Sequence, residues 1–84
     1  GEVLSLTSIH GVDAEILEFE VKPNSKILTH ELRNLDFPKT AVIGGVIRKE
    51  VGYTVRGNFE FEVKDRVVVL SNPDCIHIVE GFFK

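Results

Sequence analysis

Leu17, Phe19 and Val21 alternate with Glu18, Glu20 and Lys22 between Glu15 and Lys22. A side-chain period of two is met by a strand with one face on a core and the other in water. Such a strand belongs to an antiparallel sheet, because parallel strands are covered on both faces and read as continuous apolar runs. The other segments must then supply antiparallel partners and a covering layer for one face.

Val3 to Ile9 is a first partner, with Val3, Ser5 and Thr7 set imperfectly against Leu4, Leu6 and Ser8 and the strand ended by His10-Gly11. Pro23-Asn24-Ser25 is a turn, since proline fixes φ and asparagine tolerates turn geometry. Leu28, Leu32 and Leu35 then recur at i, i+4 and i+7, which predicts a short amphipathic helix with Thr29 as cap and Pro38 as stop. Ala41 to Ile47 is almost wholly apolar, the pattern of a strand covered on both faces, and Gly44-Gly45 inside it marks a bulge or the close approach of a ligand.

Lys49 to Gly52 turns the chain back into a short strand from Tyr53 to Val55, and Gly57-Asn58 is a further turn. Phe59 and Phe61 alternate with Glu60 and Glu62 and face the core; Arg66 to Leu70 is another apolar strand. Asn72-Pro73-Asp74 starts a last short helix on which Ile76, Val79 and Phe83 share a face. The sum is an α+β domain: a mainly antiparallel sheet of about five strands covered by two short helices.

The sequence has 84 residues, room for one domain of modest stability that gains from association. Its formal charge of -3 argues against a nucleic-acid module, which draws its affinity from clustered Lys and Arg. The lone Cys75 excludes an internal disulfide and fits a reducing compartment. No apolar run approaches the roughly 20 residues that span a bilayer. The chain opens on Gly1-Glu2 and contains no Met, so we expect a fragment of a longer protein with Gly1 added in its preparation.

No residue pattern points to catalysis. Cys75 and His77 are two apart, pointing away from each other on a helix, with no second Cys or paired His to complete a metal site. His10 and His30 have no nucleophile set beside them, and Glu15, Glu18 and Glu20 form a solvated strand face. Arg48, at the end of an apolar strand, either meets an anionic ligand or pairs with an acid such as Asp65. For Asp65-Arg66 the commoner reading is structural: Asp65 accepts backbone N–H groups in its turn, and Arg66 lies along the sheet edge.

Taken in order, Leu32, Leu35, Phe37-Pro38, an apolar strand ending in Arg48, Arg56-Gly57-Asn58, Asp65-Arg66-Val67-Val68-Val69 and a final Phe82-Phe83 resemble the TrkA-C domain, the C-terminal part of the RCK (regulator of potassium conductance) unit. The resemblance runs from about Val3 to Phe83 and makes residues 1–84 a single regulatory domain. It implies a non-catalytic role on the cytoplasmic side of a membrane potassium transporter, following a Rossmann-like domain that binds NAD or ATP. No G-x-G-x-x-G occurs here, so those cofactors belong to the missing half. It further implies a homodimer with a small nucleotide ligand in the groove between copies. Leu32, Leu35, Phe37, Ala41 and Ile43 would form the seam, with Arg48 beside it.

The same domain also occurs as an insert in sodium-coupled anion symporters, and a ligand-free dimerisation module is a further alternative. Three loop positions depart from the family pattern. Lys49-Glu50 stands where many members have Asp-Gly, Val55 where a Pro is usual, and Lys64 where Gly is common. Members that bind cyclic di-AMP tend to carry an arginine near the position of Pro38, so this sequence resembles the non-binding branch there.

Overall fold

The computed structural model describes residues 3–8, 11 and 13–84. Five strands, β1 (Val3–Ser8), β2 (Glu15–Glu20), β3 (Ala41–Arg48), β4 (Val51–Tyr53) and β5 (Arg66–Ser71), form one sheet in the order β1-β2-β5-β3-β4, every pairing antiparallel. One α-helix, α1 (Ile76–Gly81), follows a 3-10 turn at Pro73–Cys75 whose N-cap Asn72 accepts the Asp74 N–H. This α+β architecture is the one read from the sequence. Ile9 and His10, read as the end of the first strand, lie outside the described residues.

The alternation in β2 works as expected. Leu17 and Phe19 point into the core beside Val67 and Val69 of β5, while Glu18 and Glu20 face outward. Phe83, just beyond α1, stacks on Phe19 with ring centroids 4.5 Å apart and planes within 2°. Val79, Phe82, Ile27, Leu35 and Phe61 complete the layer over that side of the sheet.

Gly44-Gly45 is a bulge. The register of β3 against β5 shifts between Ile43 and Gly45, so Ala41 and Ile43 face inward before it and Val46 faces inward after it. The expectation that β3 is covered on both faces is corrected, since all covering elements lie on one side of the sheet. Val42 is 58% exposed, and Ile16 and Leu70, its neighbours in the same cross-strand row, are exposed as well.

The predicted helix over Leu28 to Leu35 is replaced by two separate 3-10 turns, Lys26–Leu28 and Leu32–Asn34. Two competitions explain this. Thr29 returns both its N–H (3.0 Å) and its hydroxyl (2.6 Å) to the Lys26 carbonyl, closing the first turn rather than capping a helix. The N–H groups of Leu32 and Arg33 then donate to Phe59 (3.0 Å) and Gly57 (2.8 Å) carbonyls across the molecule, not to residues one turn back. The second turn ends at Leu35 and Asp36, the latter at φ 52°, before Pro38 is reached.

The last hairpin is shifted from its expected place: β4 covers Val51–Tyr53, because Lys49 and Glu50 alone make the turn between the paired Arg48 and Val51. Both turn residues have positive φ, 50° and 67°, the two-residue geometry that favours Asn-Gly. Each side chain held in the left-handed region costs roughly 1 kcal/mol relative to glycine. Combining Lys49→Asn with Glu50→Gly is therefore expected to stabilise the domain by about 1 kcal/mol in urea unfolding.

Candidate functional site

Between the second 3-10 turn and the start of β3 lies an open groove of about 350 Å³, lined by Leu32, Phe37, Pro38, Ala41 and Ile43 with Arg33, Asp36 and Lys39. The turn presents Leu32 and Arg33, and the positive φ of Asp36 reverses the chain so that Phe37 comes beside β3. The Phe37 ring packs against Phe82 at 5.0 Å between centroids, tilted by 54°, which fixes one wall against the end of the helix.

Four of the six residues singled out in the sequence, Leu32, Phe37, Ala41 and Ile43, thus come together here. The other two do not. Leu35 is 2% exposed and belongs to the core, because the turn that replaces the helix rotates it inward. Sequence reasoning missed the charged rim of Arg33, Asp36 and Lys39. The signal available was that these residues bracket Phe37-Pro38, at a turn that keeps its charged neighbours outside.

Arg48 lies at the far end of β3 and is held by its own chain. Its Nε donates to Asp65 Oδ1 at 2.8 Å and its Nη2 to Asp65 Oδ2 at 2.7 Å, the fork-to-fork geometry in which arginine exceeds lysine. Nη2 also donates to the Glu60 carbonyl at 3.0 Å, and Nη1 is 3.0 Å from a carboxylate oxygen of Glu62. The guanidinium further sits 5.1 Å from the ring centre of Phe59 and 5.6 Å from that of Tyr53. Its pKa is raised above the ordinary arginine value, first by the hydrogen bond to Asp65, against the opposing effect of burial. Of the two readings of Arg48, the ion pair with Asp65 is the one observed.

Asp65 is 1% exposed and accepts the Glu62 N–H at 2.9 Å, as a turn aspartate should. Arg66 does not lie along a sheet edge, because β5 is the central strand; its guanidinium crosses to Glu18 on β2 in an exposed ion pair. Cys75 contacts the Thr40 hydroxyl. Among the described residues no three His, Cys, Asp or Glu side chains gather as metal ligands, and no helix is long and apolar enough to cross a membrane.

The described residues thus form a small α+β sheet domain with an open, apolar, charge-rimmed groove. The chain belongs to the TrkA-C domain family, whose model matches residues 16–83. It is 37% identical over 82 residues to the Trk system potassium uptake protein TrkA homolog 1 of Methanosarcina mazei, covering 98% of this chain and 18% of that protein. The Archaeoglobus fulgidus homolog is 30% identical over 80 residues, covering 95% of this chain and 18% of that one. A solved RCK domain "with cda" superposes with a TM-score of 0.67 at 16% identity, covering 82% of this chain and 97% of that one, a likeness of fold. The chain thus spans about a fifth of the length of these curated relatives.

Proposed function

We propose that this domain is a cytoplasmic regulatory module of a potassium uptake protein, which acts by pairing with a second copy and by taking a small anionic nucleotide at the groove. The observation that carries this reading is the groove itself: an apolar floor of Leu32, Phe37, Ala41 and Ile43 under a rim on which two cations, Arg33 and Lys39, outnumber the one carboxylate, Asp36. Apolar surface suits a nucleobase or the same surface of another copy, and cations at the rim suit phosphate. A solved RCK domain of like fold was determined with cda, which supports the reading of a module that takes a small ligand. No chemistry is asked of these side chains. The regulatory effect comes from a difference in affinity between two arrangements of the pair, which biases the attached transporter through the rest of the protein. Membrane attachment and NAD or ATP binding belong to other parts of that protein.

Thermal melting of the domain across cyclic dinucleotides and adenine nucleotides, with mass by light scattering, tests this. A ligand that binds only the folded form adds about 2.7 kcal/mol at one hundred times its dissociation constant. Arg33→Ala combined with Lys39→Ala is expected to leave the unliganded melt within about 0.5 kcal/mol, since both residues are exposed, and to abolish the rise. A dimeric mass with a flat panel would leave pairing alone; a monomer with a flat panel would sink the reading.

A further inference from the structure

The groove wall that carries Leu32 and Arg33 is a turn of three residues closed by only two bonds of its own, Asn34 N–H to the Glu31 carbonyl (3.0 Å) and Leu35 N–H to the Leu32 carbonyl (3.1 Å), which leave the Leu32 and Arg33 N–H groups to partners elsewhere. What holds it is the loop of residues 54–62, through two bonds: the Leu32 N–H donates to the Phe59 carbonyl at 3.0 Å and the Arg33 N–H to the Gly57 carbonyl at 2.8 Å. The two backbones approach so closely that a Cβ on Gly57 would stand 3.3 Å from Cβ of Arg33. The loop itself contains no regular element, and its position has to come from elsewhere.

Arg48 supplies it. The same guanidinium that closes on buried Asp65 donates to the Glu60 carbonyl and packs on the Phe59 ring. Phe59 and Glu60 are thereby fixed to β3, with Phe61 set edge-on to Phe59 at 5.0 Å. We propose that Arg48 is a positioning residue for the groove: without lining it, Arg48 sets the height of the Leu32–Arg33 wall through Phe59 and Gly57. The inference rests on the reading of the groove as the functional site, and it adds that the groove is adjustable from the β3–β4 hairpin. A contact that moved Arg48 off Phe59 would open the wall without touching the groove floor.

Amide hydrogen exchange on the 84-residue domain, read residue by residue, tests this without any ligand, so a flat nucleotide panel would leave its outcome intact. Arg48→Lys keeps a cation for Asp65 but loses the fork, with its bond to Glu60 and its packing on Phe59. The Leu32 and Arg33 amides are expected to exchange roughly tenfold faster, while Val67 and Val69 in the central strand keep their rates. Equal acceleration of the turn and of β5 would mean general loss of stability and overturn the proposal, as would no change at Leu32 and Arg33. Phe59→Leu, which leaves the Arg48–Asp65 pair intact, covers the case in which the lysine variant does not fold. It is expected to accelerate the same two amides by roughly threefold, and unchanged rates there would equally overturn the proposal.

Discussion

Replacing Arg48 with alanine is expected to destabilise the domain by about 3–5 kcal/mol, measured by urea or thermal unfolding. The loss comes from what is left behind. Asp65 is 1% exposed, and without the guanidinium its carboxylate keeps only the Glu62 N–H as a protein partner. For a chain of this size total stability is on the order of 4–13 kcal/mol, so the change removes a large part of it. Combining Arg48→Ala with Asp65→Ala removes the stranded charge and should recover at least about 1 kcal/mol relative to the single change. Because the pKa of Arg48 is raised in the folded state, its contribution is complete below the unfolded value and lost only as pH rises through the folded one. The penalty should therefore be constant from about pH 6 to 9. Arg66→Ala, which breaks the exposed pair with Glu18, should change the midpoint little.

Phe83→Ala is expected to cost a similar amount, about 3–5 kcal/mol in the same measurement. The ring is fully buried and stacked on Phe19, whose own side chain is fully buried on the inner face of β2. Removing it leaves a cavity between the helix and the sheet, and it weakens the seat of the neighbouring Phe82. The Phe82 carbonyl accepts the Ile27 N–H at 2.9 Å and its ring meets Phe37, so the groove should loosen with the core. Phe83→Leu should lose markedly less, because leucine refills much of that volume.

The sheet was legible wherever one residue's period decided the outcome. Leu17, Phe19 and Val21 could only face one side, and Gly44-Gly45 could be read as a bulge because two adjacent glycines weaken a strand unless its geometry needs them. The helix over Leu28 to Leu35 was misread because its spacing is truly helical. What overrides it are the Gly57 and Phe59 carbonyls, which arrive from residues far along the chain and outcompete a local ladder that no pattern in the leucines themselves can reveal. The same cause displaced Leu35 from the groove into the core. Arg48 and Asp65 were named as a possible pair, but the packing of Arg48 on Phe59 and its bond to Glu60 depend on the path of a loop and had no sequence signature.

The bulge in β3 also decides which changes in length that strand can accept. Ala41 and Ile43 point to the groove side on odd numbers, while Val46 and Arg48 reach the same side on even ones, and the extra residue at Gly44-Gly45 reconciles the two. Deleting one glycine would remove no side chain, and it would turn the bulge into regular pairing in which every residue beyond it keeps its partner on β5. Val46 would still lie opposite Val67 and face the core, and Arg48 would stay on the side of Asp65, whereas deleting both glycines would turn the two over to the opposite surface. Homologous sequences that keep both the groove and the ion pair should therefore show either this bulge or a single-residue gap in its place, never a two-residue one, so the two ends of β3 are inherited with a fixed relative facing.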